Sequence, residues 1–363
     1  MMRCSVHRLG ATRVLLSALL YGALIAFAIV DARDAGAAAR EPHVALILPL
    51  ASHTFSRHAD AVRQGFVAAA RAAAKNAPPV RIYSVNEDTV NVLTIYEQAV
   101  ESGAQLVVGP LTRNGVAVIA ASNLVTVPTL ALNSLEPGSP QPARLYLFGL
   151  SVELEARQVA RLAFDDGRRN AFILSDDSTL GNRMRKAFLQ EFARFGGVTV
   201  AELSFSADQS SLNKLRQAAN LGVADMVFLA LDFARARTVR PYLGNALALY
   251  ATSQVSAGRS GTLATHDLNL VRFVDMPWLL QADHPAVMIY PRPELGDLVE
   301  FDRLYALGID AFRIGLELLR SSHEPGVDGV TGRIRLTRDQ QFVRELTSAQ
   351  YVDGKTVILG VPR

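Results

Sequence analysis

The stretch Val44-Ala-Leu-Ile-Leu-Pro-Leu50, followed by a polar loop and an alanine-rich segment from Arg57 to Lys75, decides the plan of the chain. The run is apolar at nearly every position and too short and closely bounded for a core helix, so it predicts a strand buried on both faces of a parallel sheet. The segment after it sets Val62, Phe66, Val67 and Ala70 on one helical stripe that can cover the sheet. One strand, one loop and one helix form the unit that most of the sequence repeats.

Downstream, strands are expected at Val80 to Val85, Gln105 to Gly109, Val127 to Leu132 and Leu145 to Leu150, with helices at Val92 to Gly103 and Thr112 to Ser122. A second series starts with a helix from Glu153 to Asp165. It continues through strands at Ala171 to Leu174, Val198 to Phe205, Asp225 to Leu231 and Ala248 to Thr252, with helices at Thr179 to Phe195, Ser211 to Asn220 and Phe233 to Leu243 between them. Alternation of this kind predicts parallel sheets with right-handed crossovers, and two series predict two doubly wound lobes.

The last third breaks the rhythm. Val271 to Leu280 reads as a strand entering a proline turn, Leu298 to Arg320 as the longest helix, Val330 to Leu336 as an alternating antiparallel strand and Phe342 to Gly360 as a β ribbon. A long helix returning to the first lobe, then strands added to the second, gives an α/β fold with three hinge crossings, near Leu150, Ser253 and Ser322. The expected division is 1–39 as leader, 40–150 plus 254–322 as the first lobe, and 151–253 plus 323–363 as the second.

The leader reading rests on Arg3, Arg8 and Arg13 ahead of the apolar run Val14 to Val30, with Ala37 and Ala39 offering an Ala-x-Ala cleavage site before Arg40. The alternative is an uncleaved anchor, since 17 apolar residues stand at the lower edge of a bilayer span. In either case the body is exported, and the expected location is the periplasm. Of 363 residues, half are hydrophobic and a fifth charged, enough for a large core. Without residues 1–39 the chain keeps 33 basic and 32 acidic side chains. That near-neutral balance gives no electrostatic footprint for nucleic acid. The one cysteine, Cys4, precedes the apolar run, so it is not placed for lipidation, and neither a disulfide nor thiolate chemistry is expected.

Several stretches narrow the reading: Val107-Val-Gly-Pro-Leu111, Phe148-Gly-Leu-Ser151 with Glu155-Ala-Arg-Gln158, Tyr250-Ala-Thr-Ser253, Val271-Arg-Phe-Val-Asp-Met-Pro-Trp-Leu-Leu280, Tyr305-Ala-Leu-Gly-Ile-Asp-Ala311 and Thr331-Gly332. With the order of elements they resemble the type I periplasmic binding protein fold and, within it, the binding-protein-like domain of the penicillin-binding protein activators, the LppC-type lipoproteins. The resemblance covers about residues 43 to 360. It implies a non-enzymatic regulator that docks on a peptidoglycan synthase. Better known members of that family carry an N-terminal helical-repeat domain and a lipidated cysteine, whereas here the first strand follows the leader directly. The alternative is a solute-binding protein closing on a small polar ligand such as an amino acid.

In an open parallel sheet, loops after the carboxyl ends of the strands line the crevice. That rule nominates Ser52, His53, Thr112, Asn133 and Ser134 from the first lobe, and Asp176, Asp177, Thr179, Asp232, Thr252 and Ser253 from the second, as cleft candidates. Helices starting at Thr112 and Thr179 would aim free N–H groups there, although Thr112, Thr179 and Asp232 also suit plain helix caps and Asp176-Asp177 a turn. His53, His58 and Asp60 lack the spacing and ligand count of a metal site. Ser211-Leu-Asn-Lys214 satisfies Ser-x-x-Lys but its partner motifs are missing, so Ser210 or Ser211 is read as a helix cap. No catalytic constellation, metal or cofactor is implied, and Trp278 reads as core.

Overall fold

A computed structural model describes residues 40–74, 77–256, 258, 262–320 and 326–360; the leader and its cleavage site lie outside them. Strand β1 (His43–Leu48) is buried at all six positions, as its apolar run requires. It sits in a parallel sheet with β2 (Val80–Ser84), β3 (Ala104–Val108), β4 (Thr129–Ala131) and β5 (Leu145–Leu147). The order is β2-β1-β3-β4-β5. The connecting helices are α1 (Ser56–Ala73), α2 (Thr89–Glu101) and α3 (Arg113–Ala120). α1 buries Val62, Phe66 and Ala69; Val67 and Ala70, expected on that stripe, are half-buried.

The second series comprises α4 (Val152–Asp165), β6 (Asn170–Ser175), α5 (Thr179–Arg194), β7 (Val198–Ser204), α6 (Gln209–Ala219), β8 (Met226–Ala230), α7 (Phe233–Val239), β9 (Ala248–Ala251) and β10 (Val271–Asp275). After α8 (Val299–Leu319) come β11 (Gly326–Gly329), β12 (Gly332–Leu336), β13 (Phe342–Glu345), β14 (Thr347–Val352) and β15 (Lys355–Ile358). Seven strands form the second sheet, in the order β15-β14-β10-β9-β8-β6-β7. Its β14 and β15 run antiparallel at one edge, and β11-β12-β13 make a separate antiparallel sheet.

Two expected boundaries need correction. Residues 254–322 do not all join the first lobe, because β10 pairs with β9 and β14 in the seven-stranded sheet; the chain crosses after Asp275, not near Ser253. Residues 323–363 likewise divide. Strands β11 to β13 form their own sheet, which reaches β5 through the Leu147 to Gln341 bridge, and the chain enters the second sheet only at Thr347. The crossing expected near Ser322 falls outside the described residues.

α8 lies against α1 in the same direction, His58 meeting Phe301 at one end (ring centroids 5.3 Å) and Phe66 meeting Phe312 further along (5.2 Å). Glycines let the backbones touch: a Cβ on Gly65 would sit 1.9 Å from the Tyr305 carbonyl oxygen, and one on Gly308 2.1 Å from that of Val62. α8 is more deeply buried than an apolar stripe requires, since Asp302, Arg303 and Asp310 are enclosed as well. The main core is continuous from Phe66 in the first lobe to Phe188 and Phe228 in the second, through Phe148, Trp278, Ile334 and Phe342. Apolar packing thus joins the two lobes on the hinge side.

Candidate functional site: a pinned hinge beside a closed crevice

The hinge is assembled from the ends of elements that cross between lobes. Asp275, at the end of β10, is 1 % exposed, and its Oδ2 accepts a hydrogen bond from Arg303 Nη2 at 2.8 Å. The same nitrogen donates to the Ser253 carbonyl at 2.9 Å, which ties α8 to the turn after β9. Ser253 Oγ donates to Glu155 Oε2 at 2.7 Å, and Arg344 of β13 lies 3.6 Å from Glu155 Oε1. Burial pushes the Glu155 carboxyl above its ordinary range, against the pull of Arg344 and Ser253. Burial likewise opposes the charge on Arg303, but the facing Asp275 outweighs it and holds the guanidinium up.

A second knot lies alongside. Asp310 accepts from the Val330 N–H at 3.1 Å, the Thr331 N–H at 2.7 Å and Thr331 Oγ1 at 2.7 Å. Trp278 donates its backbone N–H to the Val330 carbonyl at 2.9 Å, its ring packs on Tyr305 with centroids 5.4 Å apart, and Arg292 covers it at 3.9 Å. Gln158 exchanges two hydrogen bonds with the backbone of Leu346, the residue between β13 and β14. Buried charges with this many partners resist separation, because parting either pair strands a charge in the interior.

The crevice face is different. Arg113, Asn133, Ser134, Gly149, Arg183 and Gln341 are among the residues around a cavity of about 20 Å3, room for a water molecule and little else. Glu153, in the first turn of α4, stands beside it between these two arginines. Its Oε1 accepts from Arg183 Nε at 2.5 Å and lies 3.8 Å from Arg113 Nη2 on the opposite lobe, while Oε2 accepts from Ser151 Oγ at 2.8 Å. Burial raises the Glu153 carboxyl, but the hydrogen bonds from Arg183, its own backbone N–H and Ser151 outweigh that and hold it below its usual range.

Of the residues nominated from sequence, only Asn133 and Ser134 border this cavity. Ser52 is buried, donating to Glu87 and accepting from Phe55 N–H at 2.8 Å, so it shapes the loop into α1. His53 is exposed. Thr112 and Asp232 cap α3 and α7. Thr179 is the first residue of α5, but the cap is Ser178, and Asp176 accepts from that serine and pairs with Arg235 at 3.4 Å. Asp177 accepts from Ser204 at 3.1 Å. Thr252 is buried, donating to Met184 Sδ at 3.2 Å, and Ser253 belongs to the hinge. The cap of α6 is Asp208, not Ser210 or Ser211. Among the described residues no group of three or more His, Cys, Asp or Glu is placed to hold a metal, and no helix is long and apolar enough to cross a membrane.

The crevice arginines and Glu153 were missed because the loop rule inspects only strand ends. The hinge set carried a signal: Glu155 and Gln158, Ser253, Asp275 and Trp278, Asp310, and Thr331 all lie in the stretches on which the family resemblance rests. In space those stretches converge on the hinge.

Comparison with known proteins agrees with this geometry. The penicillin-binding protein activator LpoA of Pantoea ananatis is 28 % identical over 328 residues, covering 77 % of this chain and 47 % of its own length. Its Haemophilus influenzae counterpart is 28 % identical over 288 residues, covering 77 % of this chain and 49 % of the relative. The chain thus spans about half the length of these curated relatives. The solved C-domain of Haemophilus influenzae LpoA, titled a regulator of PBP1A, matches 87 % of this chain and 99 % of that domain at 26 % identity with a TM-score of 0.74. A structure from Chromobacterium violaceum titled "putative branched-chain amino acid ABC transporter" matches with 38 % identity and a TM-score of 0.74, over 86 % of this chain and 100 % of that one. A family model matches residues 38–221 and 210–354, nearly all of the described body, and the chain belongs to that family, described as "LppC putative lipoprotein".

Proposed function

We propose that this chain is an exported, non-enzymatic regulatory module of the periplasm that docks on a peptidoglycan synthase and raises its activity. The observation that carries the reading is the state of the interlobe space. A binding protein that closes on a solute needs a polar chamber of a few hundred Å3 between lobes free to rotate. Here the cavity where the lobes meet, beside Asn133 and Ser134, is about 20 Å3, and next to it the chain's own Glu153 stands between Arg113 and Arg183. The match to the LpoA C-domain over 99 % of its length supports the same reading. Stimulation would come from preferential binding to the active conformation of the synthase. A pull-down with a class A penicillin-binding protein and a glycan-polymerisation assay with the purified chain test it. Saturable binding with a higher rate is expected; neither binding nor a change in rate removes the proposal.

The 38 % identity to a structure titled as an amino-acid transporter component favours a second reading, in which the lobes close on a small polar ligand for a transporter. That reading requires the crevice to open to admit a ligand. It predicts a melting temperature that climbs with ligand concentration.

A further inference from the structure

We propose that Glu153 is a releasable latch between the lobes, its carboxylate holding Arg113 of the first lobe and Arg183 of the second so that the crevice stays shut, and letting the lobes part when it is displaced. Three observations carry this. One carboxylate oxygen serves both cations, at 3.8 Å and 2.5 Å, so a single side chain spans the gap. Arg113 arrives already aimed, since its other terminal nitrogen is held by Glu136 at 2.8 Å on its own lobe. The set is also reachable by water. The side chains of Glu153, Arg113 and Arg183 are 25 %, 39 % and 31 % exposed, whereas Asp275 and Arg303 in the hinge are 1 % and 11 % exposed.

Exposed ion pairs exchange their partners for water and salt at little cost, while buried ones do not. The molecule therefore combines a permanent tie at the hinge with a reversible one at the mouth. Glu153 stands three residues beyond Leu150, where the chain first crosses, so a small rotation about that crossing moves its carboxylate away from Arg113 without disturbing its bond to Arg183 on the same lobe. This inference is independent of which partner the chain docks on.

The test is a charge exchange read as distance. In the full chain carrying Cys4→Ser, the sequence has no other cysteine, so spin labels can be placed at Thr94→Cys in the first lobe and Gln217→Cys in the second, both exposed. Glu153→Lys and Arg113→Glu are each expected to shift a sizeable population to longer interlobe distances, about a tenfold rise in the separated state, and the double variant to return most of it. Glu153→Gln, which keeps the shape, gives a smaller shift in the same direction and guards against loss of folding in the charge-reversed variants. A distance distribution unchanged in all single variants, or unrestored by the exchange, overturns the latch.

Discussion

The hinge and the crevice mouth are both built from arginine and carboxylate, yet they are opposite in physical character. At the hinge the pairs are enclosed and the central groups have more than one partner: Arg303 reaches Asp275 and the Ser253 carbonyl, and Asp310 takes three hydrogen bonds from two consecutive residues, while Arg344 Nη1 and Trp278 Nε1 are buried without a hydrogen-bond partner among the described residues. At the mouth the same chemistry is partly exposed, and Glu153 reaches across the gap to Arg113. The difference teaches where conformational freedom is spent. Enclosed pairs set the position of the lobes; solvated pairs modulate it by the small energies that salt and pH can reach.

The comparison breaks first at the hinge. Arg303→Met leaves Asp275 charged and enclosed, and should lower unfolding free energy by about 3–5 kcal/mol in denaturant titration; adding Asp275→Leu should recover much of the loss, because an apolar pair needs no counter-charge. Gly308→Ala tests the close approach of α1 and α8. With a backbone carbonyl 2.1 Å from the new methyl, the helices must move apart, at a cost of about 1–3 kcal/mol in the same titration. Asp310→Ala removes the acceptor of the Val330 and Thr331 N–H groups, with about 1–3 kcal/mol for each donor left enclosed and unpaired. Hydrogen exchange at those two amides should quicken selectively.

At the mouth the expected effects are smaller and of a different kind. Glu153→Gln should change stability by less than about 1 kcal/mol, while interlobe distance responds. Acid should act in the same sense. The folded-state pKa of Glu153 is held below its ordinary 4.5, so its contribution is present above that value and fades as pH falls through the lower folded value. The charged groups around its carboxylate are Arg183 on its own lobe and, from the first lobe, Arg113 with Glu136 behind it. Interlobe distances measured between pH 7 and pH 3 should lengthen only in the acid limb, and Glu153→Gln should remove that dependence.

Much of the architecture was legible in the sequence, for reasons visible in particular segments. The run at Val44 and the strand Met226–Ala230 are apolar throughout because both faces are covered, and that pattern has few other readings. Which sheet a strand joins is not written in its pattern: Val271–Asp275 looks the same beside β9 as in the first lobe. Gly326-Val-Asp-Gly329 was missed because two glycines and an aspartate carry no strand propensity; pairing with β12 makes it one. The site was less legible. Of the residues nominated from loops after strand ends, Asn133 and Ser134 border the cavity, whereas Thr112, Asp232 and Ser52 spend their oxygens on nearby backbone N–H groups, a local choice the position of a loop does not reveal. Asp302, Arg303 and Asp310 are charged positions on a long helix, and only the packing of α8 shows them enclosed.

Whether the crevice takes a solute separates a regulatory module from a solute carrier. Calorimetric titration of the chain with branched-chain and polar amino acids, to millimolar concentration at neutral pH, measures that directly. The closed mouth and pinned hinge predict no binding heat. A saturable heat with one site per chain, lost in Asn133→Ala, would contradict the regulatory reading.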